Sequence, residues 1–294
     1  TLRAGLALKM VSSFVNGYNT AGTPTDLSDD TIADALNSDN IKIYKTEDGV
    51  DEAFNSSEVT VGFTDDLKTF VFNIPVLGSP IQDVNYTVLL SDDIKTASDL
   101  RLLGAGGYQW LFTTGTLLDT TPPTVKSVIP KSGGVYDRNI ALEFSFSEAV
   151  DPISASGSSA KNFDNIIINE GGGAIAGVYE ISNGYKTVTF IPSEECGTNS
   201  CGETIYCLPQ GSISSVVRAA TPGINPPQTD IFPYDGVVDM SANALDGNDD
   251  GIAGDDYNDL AFTTTGDINL SLPEIESTTP DLASLNDVAL DQPI

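Results

Sequence analysis

Asp246-Gly-Asn248-Asp-Asp250-Gly251-Ile252 is the stretch whose residue types and spacing best suit chemistry. Oxygen-bearing side chains at alternate positions can wrap a hard cation, and a glycine at the sixth position permits the sharp turn. The pattern is the first half of a calcium loop, D-x-[DN]-x-[DN]-G, with the Ile252 carbonyl as the seventh-position ligand. The twelfth position is Tyr257, not the closing Glu, so Asp255, Asp256 or Asp259 would have to complete the shell. The expected Ca2+ ligands are therefore Asp246, Asn248, Asp250, Ile252, Asp255 and Asp256; the alternative is an acidic loop that only faces solvent.

The chain has no histidine, which removes the commonest general base, the commonest metal ligand and every Ser-His-Asp or Cys-His arrangement. Cys196, Cys201 and Cys207 crowd into one stretch, and without histidine a zinc site lacks its fourth ligand. Three cysteines leave one over. The short Gly- and Asn-containing loop predicts a Cys196–Cys201 disulfide with Cys207 free or buried, three reduced thiols being the alternative. Trp110 and the Tyr and Phe residues could form a sugar platform, but their alternation along strands favours core packing. Carboxylates are plentiful, yet nothing singles out one pair, so no catalytic residue is assigned and an enzyme is not expected.

Lys plus Arg is 13 and Asp plus Glu is 42, giving 13 − 42 = −29. Such a surface repels nucleic acid and anionic membranes. No apolar run approaches the roughly 18 residues of a membrane span. No signal peptide is present, so the chain reads as a mature or trimmed product. Sequons at Asn55, Asn85 and Asn269 fit an extracellular or cell-surface location and are candidate glycosylation sites.

Short β-rich runs dominate: Ile41–Tyr44, Val59–Phe63, Thr69–Phe72 and Tyr86–Leu90, then Leu142–Phe146, Asn165–Ile168 and Thr187–Phe190. A single short helical turn is expected around Asp29 to Leu36. Spaced strands with turn residues between them argue for sandwiches. The chain also repeats itself. Phe112-Thr-Thr-Gly115 is followed by Pro123-Thr-Val-Lys-Ser-Val-Ile-Pro130, and Phe262-Thr-Thr-Thr-Gly266 by Pro273-Glu-Ile-Glu-Ser-Thr-Thr-Pro280. The Phe-to-Pro spacing is 123 − 112 = 11 and 273 − 262 = 11, and the Pro-to-Pro spacing is 7 in both copies.

A Pro-Pro-x-Val-x-Ser-x-x-Pro opening, Phe146-Ser-Glu-Ala-Val-Asp-Pro152 on the second strand and a closing Phe-Thr-Thr-Gly strand resemble the bacterial Ig-like domains of surface and S-layer proteins. The resemblance implies structural or spacer modules and carries over no catalytic residue. The first copy departs from the pattern at Met10-Val-Ser-Ser13, and the second carries a long acidic insertion at about 212–256.

The expected architecture is all-β: two tandem immunoglobulin-like β-sandwich domains with a C-terminal extended donor strand. Residues 1–117 form a sandwich without its own first strand, 118–272 a complete one, and 273–294 an opening strand with no domain behind it. Val288-Ala-Leu-Asp-Gln-Pro-Ile294 also matches Val135-Tyr-Asp-Arg-Asn-Ile140. A sandwich lacking an edge strand exposes backbone donors and acceptors and invites strand addition. The leading expectation is a subunit of an extracellular filament or sheath, a homopolymer held by the tail through Ile275, Leu285, Val288 and Leu290. The tail folding back on its own chain, or an arbitrary cut in a longer repeat protein, are the other two readings. The alternative function is an adhesin stalk or carbohydrate-binding spacer, with a glycan or cell-surface anchor as partner.

Overall fold

The computed structural model describes residues 4–9, 15–16, 40–55, 58–65, 69–74, 77–79, 81–92, 94–96, 101, 103–158, 163–222 and 235–270. Alternating apolar residues make strands here because successive side chains leave opposite faces of an extended chain, so one face can be buried. The N-terminal half contains β1 (Ala4–Lys9), β2 (Val15–Asn16), β3 (Ile41–Lys45), β4 (Thr60–Phe63), β5 (Thr69–Ile74), β6 (Val84–Leu90), β7 (Lys95–Thr96) and β8 (Tyr108–Thr114). One antiparallel sheet has the order β1-β5-β4 and another β3-β6-β8, with β2 and β7 forming a short separate pair. Phe70, Phe72 and Ile74 from the first sheet pack with Ile41, Ile43, Val84, Tyr86 and Val88 from the second. Tyr86 is fully buried, and its hydroxyl oxygen accepts the Gly78 N–H at 2.8 Å, so the ring enters the core without an orphaned polar tip.

The C-terminal half contains β9 (Val125–Ile129), β10 (Val135–Tyr136), β11 (Leu142–Phe146), a one-turn helix α1 (Pro152–Ser156), β12 (Ile166–Glu170), β13 (Gly173–Ala174), β14 (Gly177–Ser182), β15 (Thr187–Pro192), β16 (Glu195–Thr198), β17 (Thr204–Tyr206), β18 (Gly211–Val217) and β19 (Ala261–Thr264). Its sheets run β14-β15-β11-β9 and β10-β19-β18-β12-β13. Leu142, Phe144 and Phe146 on one sheet meet Ile166, Ile168, Ile213, Val217 and Phe262 on the other, an immunoglobulin-like sandwich. Most of the Phe146–Pro152 motif is structural. Phe146 and Val150 are buried, and the Asp151 carboxylate caps α1 by accepting the Ile153 and Ser154 N–H groups at 2.8 and 3.1 Å. Pro152 sits at the start of the helix, where no N–H is needed.

The two halves touch. Val71 leaves β5 on the side opposite Phe70 and Phe72 and is buried with Ile153, Ala220, Val238 and Ala244. Ser158 Oγ donates to Asp65 Oδ1 at 2.9 Å.

Two expectations need correction. The long insertion does not begin at 212, because Gly211–Val217 is a central strand whose Ile213 and Val217 are fully buried. The disulfide joins Cys196 to Cys207, with Cα atoms 5.8 Å apart, and Cys201 is the exposed free thiol. The reason is the β16–β17 hairpin: Glu195 pairs with Tyr206 and Gly197 with Ile205, and the register shift between them leaves Cys196 at a bulge, within reach of Cys207 just beyond the strand end. The intervening turn is closed instead by Asn199 Oδ1, which accepts the Cys201 and Glu203 N–H groups, both at 2.9 Å. The helical turn expected at Asp29 to Leu36 lies outside the described residues.

Cys207→Ser should therefore cost about 2–5 kcal/mol in urea unfolding, whereas Cys201→Ser should change stability by less than about 0.5 kcal/mol. The opposite ranking would contradict the Cys196–Cys207 pairing.

Candidate functional site

The internal repeat can be aligned strand by strand through the registers. Phe112 and Phe262 each open the closing Phe-Thr-Thr run, with Tyr86 opposite the first and Ile213 opposite the second. Tyr86 in turn faces Lys45, and Ile213 faces Glu170, so β3 matches β12; both strands show the same burial alternation. Thr69-x-x-Phe72 on β5 matches Thr187-x-x-Phe190 on β15, pairing with Leu6 on β1 and Leu142 on β11 through the two phenylalanines. Hence β1-β5-β4 corresponds to β11-β15-β14, and β3-β6-β8 to β12-β18-β19.

Among the described residues, the C-terminal strands without a counterpart in the N-terminal half include β9 and β10, which cover the outer edges of β11 and β19. In the C-terminal half β9 covers the outer edge of β11, pairing Val128 with Phe144, and β10 runs parallel to β19, pairing Tyr136 with Thr264. The Thr263 and Thr265 N–H groups donate to the Gly134 and Tyr136 carbonyls at 3.0 and 2.8 Å. The Tyr136 ring packs edge-on against Phe262, centroids 5.9 Å apart. Among the described residues, β1 pairs only with β5, and β8 only with β6. The consequence shows in burial: Phe262 and Thr264 are buried, whereas their counterparts Phe112 and Thr114 are only half-buried. Beside them Tyr108 and Leu111 are exposed. Trp110 is half-buried against the N-terminal core, as the alternation predicts. The tail residues Ile275, Leu285, Val288 and Leu290 lie outside the described residues.

The acidic loop comes together in part. Asp246 is buried, and its two carboxylate oxygens accept the Asp250 and Gly251 N–H groups at 3.2 and 2.7 Å. A parallel bridge brings Asp255 alongside Asp246. The Asn248 amide nitrogen lies between the Asp250 and Asp255 carboxylates, 3.4 and 3.3 Å from one oxygen of each. Asp256 turns elsewhere, accepting the Ala219 N–H at 2.8 Å, and the Ile252 side chain is exposed. Asp246, Asp250 and Asp255 thus share one acidic loop, but their carboxylates do not close into a group as tight as the one described next.

A second acidic cluster was not legible in the sequence. Asp119, Glu148 and Asp239 bring carboxylate oxygens within 4.8 Å of one another, from the segment joining the halves, the end of β11 and the 235–259 region respectively. They are separated by 29 and 91 positions, so no local motif announces them. Asp239 is buried but well supplied with donors: Ser241 N, Asn243 N and Asn243 Nδ2, each at 2.8 Å. Burial, reinforced by the neighbouring Asp239 and Asp119 charges, raises Glu148 to a pKa of about 7, Lys186 opposing the shift. Burial likewise raises Asp239.

Asn55, Asn85 and Asn269 are all exposed. The Asn85 side chain accepts from Thr113 Oγ1 at 2.7 Å on the outer face of the β6–β8 pair. No helix among the described residues is long and apolar enough to cross a membrane.

Residues 119–201 match the family model of a bacterial Ig-like domain. No curated protein matches the chain. Solved structures with similarity include the first two Ig domains of Dpr2 in a complex with DIP-Theta, at 8% identity over 78% of this chain and 85% of that one, TM-score 0.21. Two titin fragments are also similar: A168–A169 at 9% identity, covering 76% and 83%, TM-score 0.23, and A164–A165 at 11%, covering 77% and 81%, TM-score 0.22. The TM-scores are too low to bear on how the two halves are arranged.

The Glu148 shift makes a signed prediction. The folded state holds this proton more tightly than the unfolded chain, so the associated stability is present below about pH 4.5 and is lost as pH rises through about 7. Glu148→Gln should flatten the fall in Tm across that window. A variant with the parent's slope would contradict this.

Proposed function

We propose that the chain is a structural subunit of an extracellular filament or surface sheath. In this reading residues 1–117 and 118–272 are two tandem Ig-like domains, and 273–294 is a donor strand that enters the N-terminal domain of the next subunit. The observation that carries it is the pair of outer edges, on β1 and β8, that the repeat covers in the C-terminal half and leaves without a strand partner among the described residues of the N-terminal half. The Pro273–Pro280 repeat of Pro123–Pro130 supplies a matching strand. Each aliphatic side chain buried there contributes roughly 1.5–3 kcal/mol, and the added strand satisfies the edge amides. A head-to-tail contact of this kind is heterologous and does not close, so it propagates. The disulfide and the exposed sequons support an oxidising, extracellular location.

Ca2+ at the Asp246 loop belongs to the same reading. It would neutralise Asp250 and Asp255 and fix the segment between β18 and β19. Adding calcium after chelation, at constant ionic strength, should raise Tm in the parent and not in Asp246→Asn; an unchanged parent Tm would remove calcium from the account.

A second reading, an adhesin stalk or carbohydrate-binding spacer of a larger surface protein, is favoured by the bacterial Ig-like match of residues 119–201. Deleting residues 273–294 separates the two. The filament reading predicts that the truncated chain forms no fibres by negative-stain microscopy while the C-terminal half stays folded, since it carries β9 and β10. Fibres from the truncated chain would remove the tail as donor strand, and monomers with glycan affinity from the intact one would favour the spacer.

A further inference from the structure

We infer that the donor segment is bipartite, occupying both open edges of a second copy in a register fixed by the C-terminal half. This rests on the strand-exchange reading and names the occupant of each edge. Pro273–Pro280 stands 150 positions after Pro123–Pro130, so Ile275 takes the place of Val125 and Thr278 that of Val128, the two side chains that β9 packs on the core. This first part lies antiparallel on the outer edge of β1, as β9 lies on β11.

The second part follows from which β10 residue faces inward. Val135 is 67% exposed, whereas Tyr136 packs on Phe262. An apolar residue followed by Asp and, three positions later, Ile describes both Tyr136-Asp137…Ile140 and Leu290-Asp291…Ile294. Leu290 therefore takes the place of Tyr136, opposite Thr114, and Ile294 that of Ile140, which packs against the C-terminal core. Ala289 then takes the exposed Val135 position, opposite Thr113, and the Thr113 and Gly115 N–H groups donate to the Val288 and Leu290 carbonyls as Thr263 and Thr265 do to Gly134 and Tyr136. The connection between the two parts is longer in the tail, 290 − 280 = 10 positions against 136 − 130 = 6, which leaves ample chain to cross from one sheet to the other.

Paired cysteines in the full chain test the register, in a Cys201→Ser background that removes the free thiol. Thr113→Cys with Ala289→Cys places two outward-facing residues opposite each other at disulfide distance. Oxidised samples on a non-reducing gel should give a ladder of intermolecular bands, at least tenfold stronger than from Thr113→Cys with Val288→Cys, the one-residue slip. Ile275→Asp and Leu290→Asp should each raise the concentration needed for assembly by tenfold or more, because each disrupts a different edge. Equal ladders from the two cysteine pairs, or a ladder only from the slipped pair, would overturn the register while strand exchange stands. Unchanged assembly of Ile275→Asp would reduce the donor to one edge. A cross-link confined to fast-migrating monomer would place the tail on its own chain, and no cross-link together with no fibres would remove strand exchange itself.

Discussion

A β-sandwich is closed only when its outer strands have partners for their backbone groups and cover for the apolar layer behind them. An uncovered edge leaves a row of N–H and C=O groups in register with any strand that arrives. In the C-terminal half β9 and β10 meet that requirement by crossing from one sheet to the other and binding an edge on each. Tyr136 shields Phe262, Thr264 sinks to 1% exposure, and its hydroxyl donates to the Pro209 carbonyl. The N-terminal half has the same central strands in the same registers, but Phe112 and Thr114 stay half-buried beside the exposed Leu111.

The remaining features stiffen the C-terminal half. The Asp151 cap, the buried Ser154 hydroxyl accepting the Val238 N–H, and the Val150–Asp239 bridge tie the 235–259 region to the end of β11. The acidic loop begins directly after buried Leu245, and Asp246 N donates to the Pro123 carbonyl at the entry to β9. Cation binding at this loop would thus act on the segment that leads into the covering strand. Asp119, on the chain joining the halves, sits beside Glu148 and Asp239, which makes the charge of that junction sensitive to pH near neutrality.

Much of this was legible in the sequence, for identifiable reasons. Leu142–Phe146, Thr187–Phe190 and Ile41–Tyr44 alternate cleanly and fold as strands, and the twofold Phe-to-Pro spacing marks equivalent closing strands. The proximity of Asp246, Asn248, Asp250 and Asp255 follows from local spacing. The Cys196–Cys207 pairing was not legible because it depends on hairpin register, and the four residues between Cys196 and Cys201 carry no sign of the Asn199 hydrogen bonds that close the turn. Residues 212–217 read as the start of an insertion because serines at 212, 214 and 215 weaken the apolar signal; only pairing on both sides, with β12 and β19, makes Gly211–Val217 a core strand. The Asp119–Glu148–Asp239 cluster exists only in three dimensions.

The outer edge of β8, which has no strand partner among the described residues, is probed most directly by amide hydrogen exchange at Thr113 and Gly115, with Thr263 and Thr265 as internal references in the same chain. The account predicts fast exchange of Thr113 and Gly115 in dilute monomer and protection comparable to Thr263 and Thr265 once subunits assemble. Protection of Thr113 and Gly115 in dilute monomer, or their continued fast exchange in assembled fibres, would contradict it.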